Sequence, residues 1–249
     1  MIQSTINFSV DAQLLKELGE RLVGKPSTAV AELVKNAYDA DATFSEIIFE
    51  PEKPVGGEVE AKGEIIVRDD GHGMTFDDFR DFWMRVGTTH KAGKRVSPYF
   101  GRQMTGSKGV GRLSVQFLAH RLELKTVPKS GNGTWIWAYV DWDEAVVSGD
   151  LTSATVVYEI RTDPPPFEQG TELRLEWLKQ TWDEKSLRDL AREIWWLQPP
   201  FRRDIASLPT GERFEIRFVG AEDAFRAINS TIAHVGLSNT APSIASLPP

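Results

Sequence analysis

Two spacings of apolar residues recur along the chain and predict two kinds of element. Between Pro26 and Ala40, Val30, Val34 and Ala37 lie at the spacing of one face of an α-helix. Pro26 suits the first turn of such a helix. Similar spacing predicts helices at 76–86, 110–120 and 183–197, and short apolar runs predict strands at 4–10, 47–49, 65–67, 122–127, 134–140, 155–160, 171–177 and 214–219.

One long segment shows neither spacing. Residues 87–109 contain five glycines and several basic residues. We interpret them as a mobile loop, because loops of this length inside compact domains usually serve a function. Its basic residues, Arg102 among them, are expected to be mostly solvated. By contrast, Trp135 and Trp137 alternate onto one face of a predicted strand and are expected to pack in the core.

The order of the elements suggests a division of the chain. We expect a domain over 1–180, a helix–strand extension or the start of a second domain over 181–238, and a disordered tail over 239–249, which is rich in Ser and Pro.

Composition narrows the functional classes. The net charge of −7 argues against nucleic-acid binding by the whole surface, although a local basic groove stays possible. The absence of cysteine excludes disulfides and thiolate metal sites. The first residues do not resemble a signal peptide, and no apolar run is long enough to span a bilayer. We therefore expect no membrane contact and a cytoplasmic location.

The helix predicted at 26–40 carries the first candidate chemistry. Glu32, Asn36 and Asp39 fall on one side of it, away from the apolar face. An amide oxygen such as that of Asn36 is a suitable magnesium ligand, and a neighbouring carboxylate can act as general base to a water. The same pattern also fits an ordinary solvated polar face.

Two glycine-containing segments follow. Asp69 ends a predicted strand just before Gly71 and Gly73, where a carboxylate can accept a hydrogen bond from an exocyclic amine such as that of adenine. A simple turn after a strand is the alternative interpretation. Residues 105–112 combine glycines with Lys108 ahead of a predicted helix, which suits phosphate binding, but they lack the spacing of a Walker A loop.

Taken in order, these segments resemble the N, G1 and G2 boxes of the GHKL ATPase superfamily, which has the Bergerat fold. That superfamily includes the gyrase B subunit, the ninety-kilodalton heat-shock chaperones, sensor histidine kinases and the MutL proteins. Residues 170–173 are similar to its last box, and the resemblance covers about residues 8–178. It implies an α+β protein: a two-layer α/β sandwich whose mixed, largely antiparallel sheet has helices on one face.

The resemblance also implies roles for individual residues. Asp69 binds the adenine amine with help from Thr171, Asn36 holds magnesium, and Glu32 activates the attacking water. Residues 87–91, which include Thr88, are similar to the start of the ATP lid in the chaperone and MORC-type branches. The other nucleotide contacts implied are Asp39, Gly71, Gly73, Met74, Gly106, Ser107, Lys108, Gly109, Val110 and Gly111, with core packing as the alternative for Met74.

The implied activity is hydrolysis of ATP with magnesium, coupled to lid closure and to an ATP-dependent homodimer. A histidine-kinase activity is disfavoured, because no long helical pair precedes the nucleotide domain and Glu32 matches the hydrolase branches better. A switch that binds ATP without hydrolysing it stays open. In hydrolase branches a lysine from a following domain usually completes the site, and no motif after residue 200 identifies one, so a protein partner or C-terminal domain is expected to supply it.

Overall fold

The computed structural model of the protein describes residues 25–50, 63–84, 96–105, 114–131, 133–147, 156–197 and 208–219. The predicted strand at 4–10, Thr88, residues 106–111 and the predicted tail lie outside these described residues. The elements are α1 (Pro26–Asp39), β1 (Phe44–Glu50), β2 (Glu64–Asp69), α2 (Phe76–Asp78, continued by a π-helix over Phe79–Trp83), α3 (Ser114–Leu118), β3 (Ala119–Val127), β4 (Trp135–Asp141), α4 (Trp142–Val147), β5 (Val157–Arg161), β6 (Gly170–Leu178), α5 (Glu184–Ile194, continued by a 3₁₀ turn over Trp195–Leu197) and β7 (Glu215–Val219, after a 3₁₀ turn over Thr210–Glu212).

The strands form one seven-stranded sheet in the order β5-β4-β3-β6-β2-β1-β7. Neighbouring strands run antiparallel, except that β1 and β7 are parallel. The predicted mixed, largely antiparallel sheet is therefore confirmed.

Alternation along the strands separates the two faces of this sheet. Ile47, Val67, Leu124 and Leu175 are almost completely buried and share one core with apolar residues of α1, α3 and α5. The residues between them, such as Arg174, point to the other face and form ion pairs. The helices that share this core therefore lie on one face of the sheet, as predicted for a two-layer sandwich.

α1 is the central helix of its layer. Val30 and Ala31 are fully buried on neighbouring sides of it, so most of its circumference is covered. Near its start, the hydroxyls of Ser27 and Thr28 donate to the Glu193 carboxylate of α5 at 2.9 and 3.1 Å. α5 and β7 thus lie in the same helical layer and the same sheet as the elements before residue 180, while the division of domains at that point stays a prediction.

Three expectations differ from the observed elements. The helix predicted at 110–120 already gives way to β3 at Ala119, because Ala119 pairs with Leu178 of β6. The short α4 was not predicted at all. The helix after Thr75 does begin with a capping box, in which the Thr75 hydroxyl and the Asp78 carboxylate each accept the other residue's backbone N–H, but it continues as a π-helix.

The mobility expected for 87–109 stays a prediction, but in residues 96–105 the expectation that the basic residues are solvated is wrong for Arg102. Residues 96–105 form a short bridged turn in which Ser97 and Arg102 are buried. The expectation that the two tryptophans pack in the core is confirmed in part, because Trp135 is buried whereas Trp137 is half-buried. Trp135 and Trp137 point to the helix-free face, where Trp137 stacks on Tyr139 and donates from Nε1 to Glu123 at 2.7 Å.

Candidate nucleotide-binding site

At one end of the sheet, polar side chains occupy the outermost core-facing position of four adjacent antiparallel strands. Asp69 has the same alternation as Ile65 and Val67, so it faces the helical layer. Ser45 of β1 lies opposite Asp69 in the register, Thr171 of β6 lies on its other side, and Thr126 of β3 pairs with Thr171. We call these four residues, Ser45, Asp69, Thr171 and Thr126, the polar row.

The two neighbouring carboxylates in this region have different tasks. Asp70 stabilises the fold, because its Oδ1 accepts from the backbone N–H groups of Thr43 and Phe44 at 2.7 and 3.1 Å and its Oδ2 accepts from the Thr43 hydroxyl at 2.5 Å. Asp69 instead accepts the N–H of Gly71 at 2.8 Å, and among the described residues it has no cationic partner. Of the two, Asp69 is therefore the candidate for contact with a ligand.

The environment of Asp69 is unusual for a carboxylate. Burial raises its pKa to about 7, and the adjacent charge of Asp70 adds to the increase. The backbone N–H groups of Gly71 and Thr171 lower the pKa but do not offset burial. A strongly perturbed carboxylate at the end of a strand is a candidate functional group, since a ligand that donates a hydrogen bond would favour its ionised form.

Thr126 is a candidate site residue that sequence reasoning missed. It is fully buried, its Oγ1 accepts from the Met74 backbone N–H at 2.9 Å, and it lies 3.1 Å from the hydroxyl of Thr171. Its signal was present in the sequence, because a threonine ends the core-facing series that begins with Leu122 and Leu124. Thr126 therefore fixes both Met74 and Thr171 beside Asp69.

The glycines of the segment 70–74 permit close packing within the protein. Gly73 has a φ of 61°, and a Cβ there would lie 2.1 Å from the carbonyl oxygen of Val127. A Cβ on Gly71 would lie 2.8 Å from the carbonyl oxygen of Ala40 and 2.9 Å from Asp69 Oδ1. The backbone N–H of His72 also donates to that carbonyl of Ala40 at 2.9 Å, which fastens the segment to the end of α1.

The half-exposed stripe of α1 carries the predicted catalytic and metal-binding residues. Glu32 Oε1 forms an ion pair with Lys35 Nζ at 2.8 Å, and Asn36 lies one turn beyond Glu32. Asp39 is buried, and its Oδ1 accepts from the backbone N–H and the hydroxyl of Thr105 at 2.7 and 3.0 Å. The amide oxygen of Asn36, between two carboxylate-bearing turns, offers the hard oxygen chemistry that magnesium prefers.

A groove of about 420 Å³ opens near the same end of the sheet and is lined by Phe44, Arg68, Asp69, Asp70, Phe167, Glu168 and Gln169. Arg68 alternates to the helix-free face, where it pairs with Glu46. Asp69 is thus the member of the polar row that also lines this groove, whereas Ser45, Thr126 and Thr171 are not among its lining residues.

In the part of the chain that the structure describes, no helix is both long and apolar enough to cross a membrane.

Known proteins resemble this chain over the same region. The family model described as "Histidine kinase-, DNA gyrase B-, and HSP90-like ATPase" matches residues 25–163, more than half of the chain. A putative type II restriction enzyme, HgiDII of Herpetosiphon aurantiacus, is 29% identical over 78% of the chain, and the DNA mismatch repair protein MutL of Bacillus licheniformis is 33% identical over 45% of it. The chain matches 30% of the length of the first relative and 16% of the second.

Proposed function

Because the chain belongs to the family of histidine kinase-, DNA gyrase B- and HSP90-like ATPases, we propose that it binds ATP with magnesium between the polar row and α1 and hydrolyses it to ADP and phosphate. The observation that carries this proposal is Asp69, a carboxylate with a pKa raised to about 7 that faces the helical layer beside Thr171. An adenine amine would supply a further hydrogen-bond donor, in addition to the backbone N–H groups of Gly71 and Thr171.

The other residues of the proposed ATP site have the roles that membership of this family implies. Asn36 would hold magnesium, Met74 would line the adenine pocket, and Asp39 would support the nucleotide end of α1. Glu32 would deprotonate the attacking water. Magnesium, when bound, would neutralise charge on the phosphate oxygens. The phosphate contacts proposed are Thr88, Gly106, Ser107, Lys108, Gly109, Val110 and Gly111.

The decisive experiment separates binding from hydrolysis. We expect Glu32→Ala to bind ATP like the wild type in calorimetry and to hydrolyse it roughly a hundred- to ten-thousandfold more slowly in single-turnover assays, because a general base is worth that much. Asn36→Ala is expected to lose magnesium-dependent binding instead. Glu159→Ala, an exposed carboxylate of β5 on the helix-free face, is the matched control and is expected to change neither quantity.

Two results would change the assignment. Full turnover in Glu32→Ala would move the base elsewhere, with Asp39 as the nearest candidate. Tight ATP binding without turnover in the wild type, even with its partners present, would replace the hydrolase by a nucleotide-gated switch.

We further propose that ATP closes a lid over the site and promotes a homodimer in the cytoplasm, and that a partner or following domain supplies a lysine to the phosphates. The names of the two relatives suggest a DNA-processing protein as the larger setting. Light scattering with and without a non-hydrolysable ATP analogue tests the dimer. A monomer in both states would contradict it.

A further inference from the structure

Arg102 is a buried cation that binds backbone carbonyl groups. It is 6% exposed, and its guanidinium donates to the carbonyl oxygens of Tyr38, Ala42, Gly211 and Arg213. Two of these acceptors lie at or just after the end of α1, and two lie in the turn that precedes β7. A single side chain therefore ties together three segments that are distant in sequence.

Aromatic rings complete this environment. The guanidinium carbon of Arg102 lies 4.8 Å from the ring centroid of Tyr38, 4.9 Å from that of Phe100 and 5.7 Å from that of Phe214. A planar guanidinium can stack on rings while it donates in several directions, whereas a lysine ammonium is a compact charge and cannot do both. The site is thus built for arginine, and burying it without these partners would be costly.

Asp41 holds the other side of the same turn. It has a φ of 61°, and its carboxylate accepts from the hydroxyl of Ser97 and from the backbone N–H groups of Tyr99 and Phe100 at 2.8 and 3.2 Å. The Ser97 hydroxyl oxygen accepts the backbone N–H of Arg102 at 2.9 Å. Two buried side chains therefore hold residues 96–105 in place: Asp41 binds the segment from outside, and Arg102 binds from within the segment to its surroundings. We call residues 96–105 the clamped turn.

The clamped turn ends at the candidate nucleotide site. Thr105, three residues after Arg102, donates from its backbone and its hydroxyl to Asp39 on α1. The position of Thr105 relative to Asp39 consequently depends on how residues 96–105 are held. Arg102 also holds the turn at 208–214. A displacement of residues 96–105 is therefore opposed by the contacts of Arg102 with that turn.

We propose that Arg102 is a positioning residue: it sets Thr105 against Asp39 at the nucleotide site and couples occupancy of that site to the 208–214 turn and β7. The coupling half of this inference rests on the proposed function, and the anchoring half does not. Nucleotide binding at α1 is thereby transmitted to β7, the strand at one edge of the sheet.

The anchoring half is tested without nucleotide, by hydrogen exchange of wild type, Arg102→Lys and Arg217→Lys. Arg217 lies on β7 itself and stacks on Phe44, outside the Arg102 contacts, so it is the matched arginine-to-lysine control. We expect Arg102→Lys to accelerate exchange at least about tenfold in both 96–105 and 208–219, the effect of losing one or two charged hydrogen bonds. We expect Arg217→Lys to leave 96–105 unchanged. Acceleration confined to 96–105 would overturn the anchoring.

The coupling half is tested by adding magnesium and a non-hydrolysable ATP analogue. We expect the analogue to slow exchange in 96–105 and 208–219 of the wild type. We expect Arg102→Lys to bind it at least about tenfold more weakly, with protection at 208–219 lost. Protection of the wild type at 96–105 alone would overturn the coupling.

If calorimetry shows that the wild type binds no nucleotide, the proposed function and the coupling are both overturned. The anchoring by Arg102 is still tested by hydrogen exchange of the three proteins without nucleotide. If Arg102→Lys fails to fold, Phe100→Leu removes one stacking ring and leaves the four carbonyl contacts. We expect it to accelerate exchange in the same two segments by a smaller factor, and an unchanged 208–219 would count against the proposal.

Discussion

The two faces of the sheet shift the pKa of a carboxylate in opposite directions, although the same strands form both faces. On the helix-free face, Glu123 accepts from Trp137 and pairs with Lys125 at 3.0 Å. Burial raises the pKa of Glu123, but these two partners outweigh it and hold the pKa below its ordinary value. On the helix-facing side, burial raises the pKa of Asp69 to about 7.

The difference separates carboxylates that are satisfied within the protein from Asp69, the carboxylate proposed to bind a ligand. A carboxylate whose partners lie within the protein is satisfied before any ligand arrives. Asp69 has two backbone N–H groups and, among the described residues, no cation, so its ionised form is under-stabilised in the empty protein. A donor from outside is what would complete it.

The largest expected effect compares one substitution on each face. We expect Asp69→Asn to weaken ATP binding about ten- to a hundredfold, because it replaces a purely accepting group by one that also donates. We expect Glu123→Gln to change ATP affinity less than about twofold and to lower the free energy of unfolding by roughly 0.5–1.5 kcal/mol. Calorimetry and urea unfolding of both variants measure this contrast. Equal loss of affinity in both would remove it.

A smaller effect follows from pH. If ATP binds the ionised form of Asp69, a pKa of about 7 makes affinity rise about tenfold from pH 6 to pH 8, with proton release on binding. The folding stability of the nucleotide-free protein has the opposite pH dependence. Folding raises this pKa from 3.8, so the contribution of Asp69 to stability is fully present below pH 3.8 and is lost as pH rises through 7. Calorimetry in buffers of different ionisation enthalpy measures the proton release, urea unfolding at several pH values measures the stability, and Asp69→Asn is expected to flatten the affinity profile.

A third contrast, in stability and not in affinity, distinguishes two members of the polar row. Thr126 is fully buried and hydrogen-bonded, so Thr126→Val is expected to cost about 1–3 kcal/mol of unfolding free energy by leaving the Met74 N–H without its acceptor. The hydroxyl of Ser45 is also buried and has no hydrogen-bond partner among the described residues. Ser45→Ala is therefore expected to be neutral or to stabilise by up to about 1 kcal/mol. A large loss for Ser45→Ala in thermal unfolding would contradict this account.

The sequence predicted the elements well where local pattern and tertiary contacts agree. The spacing of Val30, Val34 and Ala37 predicted α1, because that face meets the core along its whole length. Ala119 was placed in a helix, since nothing local reveals that it pairs with Leu178. Trp137 was placed in the core because composition cannot tell which face of a sheet the helices cover.

The candidate site was predictable in part for a similar reason. Asp69 and Gly73 belong to one short segment, and their spacing marks them together. Thr126 enters the polar row only through pairing with Thr171, which lies 45 residues away. Arg102 was expected in solvent because its acceptors are carbonyl groups of distant segments, which carry no side-chain signal at all.

The parallel pairing of β1 with β7 has a consequence for how the chain is made. Phe44 pairs with Glu215, about 170 residues later in sequence, and closing so long a loop is slow. During synthesis β1 emerges long before its partner and stays an open strand edge, which is a place where nascent chains associate wrongly. Gly211 and Arg213 emerge equally late. The guanidinium of Arg102 therefore has two of its four carbonyl acceptors only once β7 pairs with β1.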